Sequence, residues 1–302
     1  MSSASRESAA ALESFSYSLP KDFQRAVTEA QKKWDQASNT GRLWGKDASL
    51  WTNNGESDWL GWQDIVDQEQ GNVSRFKALQ AELREDGFTH ILLLGMGGSS
   101  LCPEVFSKTF GKQQDAPELL VLDSTDPVQI SALRDHIDPA RTLFCVSSKS
   151  GTTLEPNIYM QYFYDETRKV IGDRTGDHFI AVTDPGSKLE AVSQQLGFRR
   201  VYHGAPSIGG RYSALSDFGL VPHAAMGLDT EKLLKRAAMM VHACKATPAS
   251  RNPGVTLGIF LGIAATKFGR DKVTLVCSPS VFDLAHGSSS CSPSPPASRA
   301  RA

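Results

Sequence analysis

The sequence predicts an α/β protein, a three-layer doubly wound parallel sheet with an N-terminal helical arm and an incomplete second α/β domain. Three observations carry this. Five short apolar runs of strand length recur after residue 89: Ile91 to Leu94, Leu119 to Leu122, Leu143 to Val146, Phe179 to Val182 and Phe198 to Tyr202. Helical stretches separate them. Continuous apolar runs without alternation, as in the first four, suit strands buried on both faces.

Taken in order, residues 1–88 read as a helical arm. Pro20 stands at the start of a run with Phe23, Val27, Ala30 and Trp34 at helical spacing. A second such run holds Phe76, Leu79 and Leu83. Between them lies a Trp-rich, irregular stretch, and its tryptophans are expected to pack the arm onto the next domain. Residues 89–245 read as the first α/β domain, ending in a helix over Leu228 to Lys245. Residues 246–284 read as the start of a second. That segment holds a helix over Gly254 to Phe268 and a strand-like run over Lys272 to Cys277. The longest apolar stretch, Val255 to Ala265, falls short of the ~18–20 residues that span a membrane and predicts a buried core helix.

Composition narrows the function classes. The chain of 302 residues carries 32 Lys+Arg against 33 Asp+Glu, so no basic nucleic-acid arm and no acidic tail is expected. No membrane or nucleic-acid partner is expected either. The N-terminus lacks an apolar signal region. The five cysteines are odd in number and show no CxxC spacing. Cys145 and Cys277 sit in apolar runs and read as small core residues, in keeping with a reducing, cytoplasmic location.

Three loops carry the chemistry. Gly95-Met96-Gly97-Gly98-Ser99-Ser100 follows the first strand. Glycines let the backbone approach an anion, and the next helix presents free N–H groups. A tight turn and a dinucleotide loop are both open readings here, the latter with Asp123 as ribose acid. Ser147-Ser148-Lys149-Ser150-Gly151-Thr152-Thr153 follows the third strand. Its hydroxyls make an oxyanion cradle or, alternatively, an N-cap cluster. Gly209-Gly210-Arg211-Tyr212-Ser213 follows the fifth strand, with Arg211 either aimed at a developing oxyanion or left on a surface loop.

The motifs GMGGSS, SSKSGTT followed by Glu155, and GGRYSALSDFGL resemble the glucose-6-phosphate isomerase family in order and spacing. The Trp-rich segment with Leu43-Trp44 and Trp51 is similar to the isomerase half of bacterial transaldolase/glucose-6-phosphate isomerase fusion proteins. The resemblance covers roughly residues 20 to 284. It implies sugar-isomerase (SIS) domains and conversion of glucose 6-phosphate to fructose 6-phosphate, in glycolysis and gluconeogenesis. It implies a phosphate held by Ser99, Ser148, Ser150 and Thr153, with Lys149, Gly98 and Thr152 in the same loops. Arg211 would stabilise the enediolate, with Gly210 near the sugar and Glu155 matching an acidic residue beside it. The resemblance implies a sugar-phosphate partner, a dimeric family and no metal or organic cofactor.

The resemblance stops after Leu284. Aldose–ketose isomerisation needs a base to move a proton between C2 and C1. The family's base is a Glu in an E-S/T-x-G-K segment, and beyond Glu231 this sequence has no Glu. The last 18 residues hold six Ser and three Pro. Residues 285–302 are therefore expected to be a disordered, out-of-frame tail, and the second SIS domain to be truncated. Little isomerase activity is expected from the chain alone. The competing expectation is a non-catalytic sugar-phosphate-binding SIS module. A nucleotide-dependent oxidoreductase is a third, resting on the glycine loop and Asp123.

Overall fold

A computed structural model describes residues 16–284. The tail expected over 285–302 lies outside the described residues. The described residues divide into two compact units, 16–70 with 231–275 and 71–230 with 276–284.

The second unit carries the sheet. Its elements are α4 (Val73–Glu85), β1 (His90–Gly95), α5 (Leu101–Phe110), β2 (Glu118–Leu122), α6 (Pro127–His136), β3 (Thr142–Ser147), α7 (Leu154–Ile171), β4 (Phe179–Thr183), α8 (Lys188–Gln195), β5 (Arg200–His203) and α9 (Asp217–Ala225). All five predicted strands form, the fifth starting two residues later than its apolar run. They pair in parallel in the order β2-β1-β3-β4-β5. The chain builds outward from β1 to β2, crosses back to β3, and continues the other way. Such a reversal opens a crevice at the carboxyl ends of β1 and β3, where open α/β sheets bind their ligands.

The continuous apolar runs are explained by burial on both faces. Leu92, Leu94, Phe144, Val146, Phe179 and Ala181 join Tyr159, Met160 and Phe163 of α7 in one core cluster. The alternate residues Ile91, Leu93, Cys145, Ile180 and Val182 are equally buried, and in a strand they project to the opposite face. There α9 packs on α4, on α5 and on β4. Burial pushes the Cys145 thiol up to about 12, so it serves as a small apolar side chain.

The first unit is helical: α1 (Lys21–Gln36), α2 (Asn39–Trp44), α3 (Ile65–Gln70), α10 (Thr230–Cys244, shared at its first residue with the sheet-bearing unit) and α11 (Pro253–Phe268). Pro20 precedes α1 rather than opening it. Phe23 of α1 stacks on Phe268 of α11, with centroids 4.9 Å apart. Trp44 donates through Nε1 to the Cys244 carbonyl at 2.9 Å, and the Lys245 ammonium lies 4.7 Å from its ring. Trp44 is thus held within its own unit, while Trp51 and Trp59 are exposed.

Two expectations fail here. The apolar helix α11 is not buried: Leu257 and Leu261 are 48% and 45% exposed. Its Phe260 and Phe268 meet Tyr17 and Phe23, but no described residue covers the Leu257–Leu261 side. The run Lys272 to Cys277 forms no strand, and Val276 is 93% exposed. A strand is defined by its ladder, and no described strand pairs with it. Cys277 is accordingly half-buried rather than a core residue.

Candidate functional site

The carboxyl edge of the sheet gathers the three loops. After β1, Gly97 takes φ +56 and opens a single 3-10 turn ending at Ser99. Gly98 is there for close approach. A Cβ at that position would stand 2.7 Å from the carbonyl carbon of Gly210, in the third loop. Two backbones touch, so neither can retreat as a side chain would.

After β3, Ser147 and Ser148 are buried, and their hydroxyls have no hydrogen-bond partner. Buried hydroxyls are almost always paired, so this pair stands out. The backbone of the loop is firmly fixed. The Ser148 amide donates to Val182 at 3.0 Å, and the Thr183 hydroxyl donates to the Ser148 carbonyl at 2.7 Å. Gly151 takes φ +67, and a Cβ there would lie 2.9 Å from that of Leu189. Ser150 Oγ and Thr152 Oγ1 are 2.7 Å apart. Thr153 is the N-cap residue of α7, yet its hydroxyl makes no capping bond. That answers the N-cap reading of the serine loop: the first-turn amides of α7 take no capping bond from it.

These loops line one cleft of about 520 Å³, together with Met96 and the segment Asp184 to Ser187. Of the residues singled out in the sequence, Gly98, Ser99, Lys149, Ser150, Thr153 and Gly210 line it. Ser148 and Thr152 belong to the same loop but not to the lining. Glu155 sits in the first turn of α7, also outside it. Arg211 lies on the 3-10 turn Gly210–Leu215 with its side chain exposed, one residue from the lining. Asp123 is outside as well, with burial and the nearby Glu104 pushing its carboxyl above the ordinary value. Tyr159 links the back of the glycine loop to α7, its hydroxyl donating to Met96 Sδ at 3.7 Å. Burial raises that phenol, and Glu155 and Asp123 add to the effect.

Sequence reading missed the β4–α8 segment. Asp184 pairs with Lys149 in direct contact. Ser187 caps α8, accepting from the Glu190 amide at 3.1 Å. Glu190 reaches back to the Gly186 amide at 2.5 Å and meets His203 at 2.8 Å. The signal was present as Thr-Asp-Pro-Gly-Ser at the end of a buried parallel strand. Strand ends of this kind supply the loops of the ligand crevice.

Fold and cleft together define a class: a doubly wound α/β domain whose hydroxyl-rich loops meet at the reversal of strand order. A family model described as Phosphoglucose isomerase matches residues 80–277, well over half of the chain. The chain belongs to the phosphoglucose isomerase family. It is 31% identical over 217 residues to the glucose-6-phosphate isomerase of Synechococcus sp. (strain JA-3-3Ab), spanning 71% of this chain and 41% of that one. It is 29% identical over 204 residues to that of Carboxydothermus hydrogenoformans, spanning 64% and 44%. The chain therefore covers about two fifths of the length of these relatives. Among solved structures, a hypothetical protein from Thermus thermophilus matches with a TM-score of 0.67 at 25% identity, over 82% of this chain and 57% of that one. A glucose-6-phosphate isomerase from Chlamydia trachomatis shares the fold, with a TM-score of 0.65 at 22% identity over 88% and 54%.

Proposed function

We propose that the cleft holds the phosphate of a hexose 6-phosphate and that the chain contributes the phosphate-binding part of a glucose-6-phosphate isomerase. The observation that carries this is the hydroxyl-lined cleft at the ends of β1 and β3. Its serine loop adds two buried hydroxyls that lack partners. The loop precedes the N-terminus of the 18-residue helix α7, and amides and hydroxyls converging at a helix start favour an anion. Ser99, Ser150 and Thr153 are the proposed donors, with Ser148, Thr152 and the Gly98 backbone in support. Gly210 flanks the sugar. Arg211 is proposed to reach the enediolate and Glu155 the sugar, each by a side-chain rearrangement. We read residues 89–245 as the sugar-phosphate domain, with 1–88 as its arm and 246–284 as the start of a second, and the whole as a cytoplasmic, dimer-forming family member.

One observation favours the second reading, a binding module without turnover. Asp184 is the sole carboxylate among the lining residues, and it is tied to Lys149. A base engaged in an ion pair is poorly placed to carry a proton between two carbons, a task worth about 10²–10⁴-fold in rate. Asp123, the acid that a dinucleotide reading required, is not at the cleft. Titration calorimetry with glucose 6-phosphate and with glucose, beside a coupled isomerase assay, tests both readings. We expect binding of the phosphate ester only and no more than residual turnover. Equal binding of glucose would remove the phosphate assignment, and turnover at an ordinary isomerase rate would remove the binding-module reading.

A further inference from the structure

The charge of the cleft rests on one pair. Of the eleven residues lining it, only Lys149 and Asp184 are charged. Their head groups are in contact, and the two side chains are only 24% and 17% exposed. Lys149 also donates to the carbonyls of Ala205 and Pro206, at 3.3 and 3.4 Å. The cation that an anionic ligand would seek is thus already engaged by the protein. The second oxygen of Asp184, Oδ1, is buried without a hydrogen-bond partner. It lies against the backbone of Gly204, where a Cβ would come within 2.8 Å of it. A buried carboxylate oxygen lacking a donor is unfavourable, and Asp184 lines the same cleft as the hydroxyl-bearing Ser99, Ser150 and Thr153.

We propose that Asp184 is a specificity-determining residue, which holds the cleft near neutrality so that it accepts one phosphate group and rejects ligands bearing two. The inference rests on the phosphate reading of the cleft. Hydroxyls and helix-end amides satisfy a single phosphoryl group through dipoles. A diphosphate brings further negative charge, which would find Lys149 already neutralised and the Asp184 carboxylate repelling it. Such a like charge set against a ligand is the usual means of rejecting a near-relative. Asp184 acts through Lys149 and through its own charge. Removing the carboxylate leaves the ammonium without its anionic partner in a half-buried site, and an incoming anion then supplies it.

The test uses the full chain, with inorganic phosphate and pyrophosphate as calorimetric probes. Wild type is expected to bind phosphate and to bind pyrophosphate about tenfold more weakly. Asp184→Asn is expected to bind both probes more tightly, phosphate by about threefold and pyrophosphate by about tenfold, the size of one partly screened charge interaction. Lys149→Met in the Asp184→Asn background should cancel the gain. A residue that merely supports the loop would weaken binding on substitution, never strengthen it. If wild type binds phosphate and Asp184→Asn binds both probes no more tightly, the inference is overturned and the phosphate reading stands. If wild type binds no phosphate, the phosphate reading falls and takes the inference with it. Should circular dichroism show Asp184→Asn unfolded, Asp184→Ser serves for the same comparison.

Discussion

The sheet-bearing unit and the helical unit spend their apolar residues differently. In the first, Ile91, Leu92, Leu93 and Leu94 are fully buried, four consecutive residues on alternating faces. In the second, the most apolar helix, α11, leaves Leu257 and Leu261 nearly half exposed. Both segments are runs of Leu, Ile, Val and Phe. The difference is that β1 has a neighbouring strand on each side and α7 packed on it, whereas α11 has α1 along one side. Apolar content therefore states what a segment can bury, and the available neighbours decide what it does bury.

The largest expected effect separates the two units directly. Phe144 is fully buried, stacked on Phe179 at 4.7 Å and packed against Phe163 at 5.4 Å. Phe144→Ala should destabilise the sheet-bearing unit by about 3–5 kcal/mol, through lost burial and the cavity left behind. All five tryptophans lie in the first 62 residues, so their fluorescence reports the helical unit alone. Denaturant titration followed by hydrogen exchange in the strands should show the loss. The fluorescence midpoint should move much less. If both probes shift equally, the units unfold as one and the contrast between them is lost.

A second effect is set by pH. His223 of α9 is buried, its ring edge-on to Phe106 at 4.9 Å and its Nδ1 3.0 Å from Thr230 Oγ1. Burial lowers its pKa from 6.5 to about 4. The unfolded chain then binds a proton that the folded chain refuses. Stability from this group is present above pH 6.5 and drains away as pH falls towards 4, by about 2–3 kcal/mol in all. His223→Gln should flatten that part of the stability profile. An unchanged slope in the variant would assign the acid sensitivity to other groups.

A third effect is smaller in stability and larger in binding. Gly98→Ala forces a methyl group onto the Gly210 carbonyl, a clash that should cost about 1–3 kcal/mol. It should also weaken phosphate binding, since it drives the first and third loops apart. Chemical denaturation and phosphate titration on the same variant check the two halves of this statement.

How much of this was legible in the sequence follows the same contrast. β1, β2, β3 and β4 were readable because each holds a continuous apolar run, the mark of a strand buried on both faces, whereas β5 carries Arg200 and is only partly buried. The glycine and serine loops were readable because each directly follows such a run, and the arginine loop because two glycines precede Arg211. Asp184 was not. A lone Asp beside Pro185 and Gly186 reads as turn chemistry, and its pairing with Lys149 spans 35 positions. The exposure of α11 was also invisible. Amphipathic spacing tells which side of a helix is apolar, but α11 is apolar almost all round, so the sequence contains no pattern that separates the side facing α1 from the side facing nothing described. The same reason explains Lys272 to Cys277: a strand-like run needs a partner, and pairing is a property of two segments.

The smallest expected effect is the sharpest test of that reading. If the Leu257–Leu261 side of α11 is open to solvent in the isolated chain, Leu257→Ala and Leu261→Ala should each change stability by no more than about 0.5 kcal/mol, as at other surface positions. A buried leucine in the same substitution loses about 2–5 kcal/mol, so the two cases are well separated. Ala has the higher helix propensity, which leaves no local penalty to confuse the comparison. The double variant should also raise the protein concentration at which light scattering begins, because an exposed apolar patch drives association. A loss of several kcal/mol at either position would mean that something covers this side of α11 in solution, and the contrast between the two units would then be one of partners rather than of packing.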